Sequence, residues 1–182
     1  MQHGIGAFTA GFAALVLVGV AGGTPRGNGV SFEPESLRSR DPLLFAGDRT
    51  DGLPLTAVLR RSDSAEYVSF VYGDCVPDDD AGCAPPVEIQ VWPACRRHLA
   101  LYDSSSGPDL ERLTVRGVPG AVLDSGTRLE LQTGRSTIVV FAESRQRLSR
   151  IAAELRPLDS RTANGVPLPQ PAPGAVEGRL PC

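Results

Sequence analysis

Four cysteines constrain this chain more than any other feature, because they follow an apolar leader that predicts export. They stand at Cys75, Cys83, Cys95 and Cys182. Outside the cytoplasm thiols tend to oxidise, and four cysteines can pair in three ways. The fold is therefore expected to bring these residues together in pairs.

The leader is uncharged and apolar from residue 5 to residue 20. A secretory apolar region needs about 7–15 residues before a small-residue cleavage site, and Gly19-Val20-Ala21 matches such a site. A membrane-spanning helix needs about 20 residues, which this stretch just reaches. We expect 1–23 to be a signal peptide or a membrane anchor that holds the membrane through 5–20 if it is not cleaved. The protein is then either secreted or held on the extracytoplasmic side of the cell membrane.

Charge does not predict a nucleic-acid partner. All 18 basic residues are arginine, against 21 acidic residues, for a net charge of −3. The arginines are spread along the chain, whereas a phosphate-binding surface usually shows clustered basic residues. Arginine in place of every lysine is typical of GC-rich codon usage.

Composition divides the chain after the leader into three parts. Residues 24–41 are rich in Pro, Gly, Ser and charge and predict a flexible linker. Residues 159–182 form a Pro/Gly-rich tail ending in Cys, which we expect to be extended rather than packed. The folded extracytoplasmic domain is then 42–158.

Period-two alternation of apolar and polar residues predicts that most of the domain is sheet. The predicted strands are Leu53–Leu59, Tyr67–Tyr72, Val87–Trp92, Leu113–Val118, Arg128–Gln132 and Thr137–Phe141, with the short segment Ala121–Leu123 before the hairpin turn Asp124-Ser125-Gly126. The last strand is a continuous apolar run, as expected of a central strand covered on both faces.

One helix is predicted after the strands. Ser144 suits an N-cap, and an apolar stripe follows at helical spacing: Leu148, Ile151, Ala152 and Leu155. Pro157 ends it, and a weaker pattern favours a short helix over 94–102. The predicted class is α+β, a mainly antiparallel sheet with one C-terminal amphipathic helix on one face, held by disulfides.

The strand order favours one pairing of the cysteines. Cys75 and Cys83 bracket the loop between the second and third strands, so a hairpin brings them close. Cys95 and Cys182 then form the second disulfide and tie the tail to the domain. If Cys182 stays free instead, it becomes available for an intermolecular bond.

Three other candidate sites are present in the sequence, but each fits its pattern poorly. Cys75, Cys83, Cys95 and His98 form a Cys₃His set, but the spacing is wrong for structural zinc and export disfavours thiolates. Asp74 and Asp78–Asp80 offer carboxylates, but consecutive residues cannot all point at one calcium ion. Asp124-Ser125-Gly126 follows apolar residues as in aspartic proteases, yet such enzymes need two carboxylates and the chain has one copy. An acidic loop tip and an ordinary turn explain the last two patterns.

No catalytic residue, cofactor site or metal site is predicted. The chain has no Gly-x-Ser-x-Gly elbow, no His-Glu-x-x-His and no phosphate-binding glycine loop. His98 is the one histidine after the leader, so a nucleophile activated by a histidine base is not expected.

Distinctive short motifs resemble one group of proteins. The pattern YGDC (72–75), GCAPP (82–86), WPAC (92–95) and RGVP (116–119) resembles uncharacterised actinobacterial proteins that are exported or carry a single membrane anchor. The resemblance covers about 42–158 and implies no catalytic residue. The part from Val115 to Leu158 is also similar to extracytoplasmic domains of anti-sigma and lipoprotein-like bacterial proteins.

The function expected from the sequence is a non-enzymatic extracytoplasmic domain that binds an envelope component or a protein. The alternative is an envelope hydrolase of unfamiliar type that uses Asp124 or the carboxylates of Asp74 and Asp78–Asp80.

Overall fold

An antiparallel sheet dominates the computed structural model of this protein, which describes residues 42–61, 66–75, 82–103, 110–158 and 166–182. In these ranges the strands are β1 (Leu44–Phe45), β2 (Arg49–Thr50), β3 (Leu53–Arg61), β4 (Tyr67–Tyr72), β5 (Val87–Pro93), β6 (Glu111–Val115), β7 (Val118–Leu123), β8 (Arg128–Thr133), β9 (Ser136–Ala142) and β10 (Arg156–Pro157). The α-helix of the described residues, α1, is Arg145–Glu154. Eight strands form one sheet in the order β2-β3-β4-β5-β9-β8-β7-β6, and β1 pairs separately with β10. The prediction of a mainly antiparallel sheet with a helix is confirmed.

The alternating patterns place the sheet residues as expected. In β5, Val87, Ile89 and Val91 enter a hydrophobic core shared with α1. The residues between them, Glu88 and Gln90, therefore point to the opposite side of the sheet. The continuous apolar run became β9, which lies between β5 and β8 and is buried at nearly every position. The prediction of a covered central strand is confirmed.

The predicted strand over Leu113–Val118 is wrong, because the chain reverses within it. β6 ends at Val115 and β7 begins at Val118, and these two residues face each other across the hairpin. Arg116 and Gly117 form the turn with positive φ angles of 50° and 88°. This left-handed geometry matches the twist of a two-residue hairpin and favours glycine. The predicted short helix over 94–102 is likewise reduced to a turn followed by a 3₁₀-helix at Leu99–Tyr102.

The prediction of an extended, unpacked tail is wrong for residues 166–182. Leu168 and Ala175 are buried, and Val176 packs against the cluster formed by Leu99. The approach is so close that a methyl group on Gly178 would lie 2.2 Å from Nε2 of His98. Proline and glycine here fit the chain to the domain surface, as glycine allows close backbone approach. We call 166–182 the C-terminal segment.

The turn residue Arg116 joins three parts of the fold. Its Nη1 donates to the carbonyl oxygens of Ala152 and Leu155 at the end of α1, and its Nε donates to the carbonyl of Val166 at 2.8 Å. Its own carbonyl accepts from the N–H of Leu168 at 3.1 Å. A cation at the C-terminal end of a helix is favourable, because the last carbonyls lack helical partners and carry partial negative charge.

Tyr72 fastens the β1 strand to the sheet. Its hydroxyl accepts from the N–H of Ala46 at 3.0 Å and donates to the carbonyl of Gly47 at 3.1 Å. The side chain is fully buried, and this burial raises its pKa well above the ordinary tyrosine value. Burial therefore favours the neutral hydroxyl, which is the form that makes both hydrogen bonds.

An ion-pair cluster ties α1 to the β2–β3 hairpin. Asp51, in the hairpin turn, accepts from Arg150 Nε at 2.9 Å and lies 2.6 Å from Arg147 Nε. The hydrogen bond from Arg150 is the main reason that the pKa of Asp51 lies below its ordinary value of 3.8. A lowered carboxyl pKa means that the ionised form stabilises the folded state.

Asp51→Asn should lower stability at neutral pH and have a smaller effect in acid. Asparagine accepts the positive φ of 48° at this turn, so the change removes the charge without straining the backbone. The wild-type advantage is complete above pH 3.8 and is lost as the pH falls from there through the lowered pKa of Asp51. The measurement is the midpoint of urea unfolding for both proteins from neutral pH downward. Asp74→Asn, which removes an exposed carboxylate outside this cluster, is the control, and a gap that does not close in acid would contradict the assignment.

Candidate functional site

Both predicted disulfides are present. Cys75 is bonded to Cys83 and Cys95 to Cys182, and none of the cysteines is free. The first bond closes the end of the β4–β5 hairpin, where Tyr72 pairs with Val87. The second connects the turn after β5 to the C-terminal segment. Since all four sulfurs are bonded, no thiolate remains for the Cys₃His zinc set considered from the sequence.

The alternative carboxylate site at Asp74 and Asp78–Asp80 lies only partly within the described residues. Asp78–Asp80 lie outside the described residues, as do the predicted leader 1–23 and linker 24–41. Asp74 is exposed beside the first disulfide. Within the described ranges, no three potential metal-binding His, Cys, Asp or Glu side chains form a group. No helix in the described part of the chain has the length and apolar character needed to cross a membrane.

Asp124 lies in the turn between β7 and β8. Its side chain is 54% exposed and pairs with Arg128 at 3.2 Å. Its carbonyl accepts hydrogen bonds from the N–H and the hydroxyl of Thr127, as in an ordinary turn. The predicted hairpin turn is confirmed, and the contacts of Asp124 are those of a structural residue.

A buried carboxylate on β8 organises the polar side of the sheet. Glu130 is fully buried, and its Oε1 accepts from Arg97 Nε at 3.0 Å and from the Tyr102 hydroxyl at 2.8 Å. Arg128 Nε lies 3.4 Å from the same oxygen. The hydroxyl of Thr137 donates to the backbone carbonyl of Arg97. These contacts fasten the segment 94–103 to the strands beneath it.

The opposite charges in this cluster offset the free-energy cost of burying them. Burial by itself lowers the pKa of Arg97, but the hydrogen bond and the charge of Glu130 outweigh it, and the net pKa is raised. Burial also raises the pKa of Tyr102, and the Glu130 charge raises it further. Arg97 is therefore a permanent cation held in one position.

Arg97 in turn lies against an aromatic pair. The rings of Tyr67 and Trp92 are stacked, with centroids 4.1 Å apart and planes 12° apart. The guanidinium carbon of Arg97 lies 5.3 Å from the Trp92 ring centroid, within the range of a cation–π contact. Three different elements thus meet at this point: β4, β5 and the segment 94–103.

A chain of hydrogen bonds extends from Trp92 along β5. The Trp92 indole N–H donates to Gln90 Oε1 at 2.8 Å, and Gln90 Nε2 donates to Glu88 Oε1 at 2.9 Å. The Ser69 hydroxyl also donates to Glu88. We name Tyr67, Glu88, Gln90, Trp92 and Arg97 the Trp92 patch. All five are half-buried, so each keeps part of its surface in contact with solvent.

Sequence reasoning placed Glu88, Gln90 and Trp92 on strand β5 but did not identify the Trp92 patch. The decisive contact, between Arg97 and Glu130, joins residues 33 positions apart. One signal was available in the pattern of β8, where Glu130 and Gln132 alternate with Leu129 and Leu131. Buried polar residues on a central strand require partners from another element.

A polar cavity lies between the β1–β2 region and the end of α1. It measures about 320 Å³ and is lined by Ala46, Asp48, Arg49, Glu154 and Arg156. Glu154 accepts a hydrogen bond from Thr50, and Arg156 lies 5.5 Å from the Phe45 ring centroid. Neither Asp124 nor Asp74 borders this cavity.

Comparison with known proteins gives no family. No family model matches the chain, and neither a curated protein nor a solved structure matches it.

Glu130→Gln should destabilise the protein by about 3 kcal/mol, the low end for breaking a buried ion pair, since Arg97 keeps some solvent contact. The amide leaves the Arg97 charge without a counter-ion in a buried position. Urea unfolding measures the loss, and Trp92 fluorescence reports any displacement of Arg97. Glu111→Gln removes an exposed carboxylate paired with Arg145 and should change stability little. Equal effects of the two changes would show that Glu130 does not organise the cluster.

Proposed function

We propose that this protein is a non-enzymatic extracytoplasmic domain that binds another protein through the Trp92 patch. The proposal places it among exported or singly anchored actinobacterial proteins, as its motifs suggest. Paired disulfides favour an oxidising setting outside the cytoplasm. In this proposal α1 covers one face of the sheet and the opposite face carries the Trp92 patch.

The observation that carries the proposal is the composition of the Trp92 patch. Tryptophan, tyrosine and arginine are the residues most enriched where protein interfaces concentrate their binding energy. Here Tyr67, Trp92 and Arg97 contact one another at a partly solvent-exposed site. Such a grouping supports a binding role better than a catalytic one, because the hydroxyl bonded to Glu88 belongs to Ser69, which is fully buried and out of reach of a substrate.

Rigidity of the Trp92 patch supports the same conclusion. Arg97 is fixed by Glu130, Trp92 by Gln90, and Gln90 by Glu88. Side chains that are already ordered lose little conformational entropy when a partner binds. The Trp92 patch is thus preorganised for contact.

Charge specifies the partner further. The Arg97 charge is compensated by Glu130, whereas Glu88 receives hydrogen bonds from the neutral groups of Ser69 and Gln90. The Trp92 patch therefore presents an aromatic surface with a negative charge at its side. A partner that suits it carries an apolar or aromatic side chain next to a lysine or arginine.

Crosslinking in cells tests the proposal. A photoreactive residue in place of Arg96, which is exposed beside Arg97, should form a covalent product with one distinct envelope protein. Trp92→Ala should remove that product, since loss of a central tryptophan anchor costs about 2 kcal/mol or more. Trp92→Phe keeps an aromatic ring and should retain part of it.

The control places the photoreactive residue at Ser149, on the exposed side of α1. Variants are compared after both disulfides and the unfolding midpoint have been verified, so that misfolding is distinguished from lost binding. Equal products from positions 96 and 149, or a product that survives Trp92→Ala, would exclude the Trp92 patch as the interface.

The proposed location has its own test. Fractionation of cells, with mass measurement of the mature N-terminus, should find the domain outside the cytoplasm. A retained 1–23 predicts recovery with membranes, and cleavage near Ala21 predicts recovery in the medium. Recovery of the reduced protein in the cytosol would contradict both.

A further inference from the structure

The two disulfides differ in their access to solvent. Cys182 is exposed and Cys95 is half-buried, whereas Cys75 and Cys83 are both half-buried at the end of a hairpin. Thiol–disulfide exchange requires the incoming thiolate to reach one sulfur along the line of the bond. Cys182 is the most exposed of the four cysteine residues.

The charges beside the two bonds also differ. Cys95 is followed by Arg96, which is exposed. Positive charge attracts an incoming thiolate and stabilises the thiolate that leaves. Cys75 instead follows the exposed carboxylate of Asp74, which opposes both effects. The Cys95–Cys182 bond is favoured by each of these factors.

The fold tolerates opening of this bond. The C-terminal segment is anchored before Cys182: the Thr133 hydroxyl donates to Pro169 at 2.6 Å, and Ala172 N–H donates to the carbonyl of Gly134 at 2.7 Å. Further along, Ala100 N–H donates to the carbonyl of Val176 at 3.1 Å. After cleavage these contacts still hold the segment up to Val176, so only the last few residues before Cys182 are released.

We propose that Cys95–Cys182 is a site of thiol–disulfide exchange with an external thiolate, which attacks Sγ of Cys182. The bond between the two cysteine sulfurs breaks as a new disulfide forms between the incoming sulfur and Cys182. Cys95 leaves as a thiolate and then takes a proton from water. One disulfide is consumed and one is formed, so no separate oxidant or reductant is needed. Cys75–Cys83 stays closed. The site acts independently of the Trp92 patch.

The test exposes the oxidised full-length chain to reduced glutathione without denaturant. Acid quenching, alkylation with N-ethylmaleimide and peptide mass mapping identify each cysteine product with time. Glutathione should appear on Cys182 and the alkyl label on Cys95, at least tenfold faster than any product at Cys75 or Cys83. A parallel reaction with a short peptide that contains one cysteine shows whether the site also accepts a protein thiol; acceptance of glutathione alone assigns it to small thiols.

Two matched charge variants test whether charge, in addition to solvent access, sets the rate of exchange at each disulfide. Arg96→Gln should slow exchange at Cys182 several-fold, and Asp74→Asn should accelerate exchange at Cys75–Cys83. Unchanged circular dichroism during the reaction shows that the domain stays folded. The proposal is overturned if Cys75–Cys83 opens first or at the same rate, if glutathione is found on Cys95, or if exchange occurs only at urea concentrations that unfold the protein.

Discussion

The polar side of the sheet depends on the ion pair between the buried carboxylate of Glu130 and Arg97. Glu130 fixes Arg97 and Tyr102 of the segment 94–103, and Arg97 then contacts Trp92. A buried ion pair adds little net stability over well-packed apolar side chains, because desolvating both charges is costly. A hydrophobic replacement of the same volume would hold the segment as well. It would not present a guanidinium to the indole ring, so the value of the pair lies in orientation.

Local features of the sequence predicted the parts of the fold whose pattern is local. Strand alternation in β4, β5 and β8 and the helical stripe of α1 each follow from one covered surface, whereas the apolar run of β9 follows from two. The hairpin of β4 and β5 then placed Cys75 beside Cys83. The β6–β7 hairpin was missed because a two-residue turn interrupts the alternation too briefly to be visible. Arg116-Gly117, which supplies its geometry, was the available signal.

Packing between distant residues was beyond such patterns. The composition of 166–182 suggested an extended chain, yet its backbone bonds to Gly134 and its side chains fill space beside Leu99. The Trp92 patch is assembled from two adjacent strands and a loop, and only the sheet register brings Tyr67 opposite Trp92. The charge partner of Arg97 lies on a strand that is not adjacent to β5. Contacts of this kind depend on tertiary structure, and the local spacing of residues along the chain does not reveal them.

The contacts of Arg116 give the RGVP motif a structural role in the fold. The guanidinium of Arg116, at the tip of the β6–β7 hairpin, donates hydrogen bonds to carbonyls at the end of α1 and at the start of the C-terminal segment. One side chain therefore connects three separate stretches of backbone. Proteins with the same RGVP sequence at such a hairpin would share the contacts of its arginine and the path of the chain around them. The motif lies apart from the Trp92 patch, so a change of residues at that patch would leave these contacts of Arg116 intact.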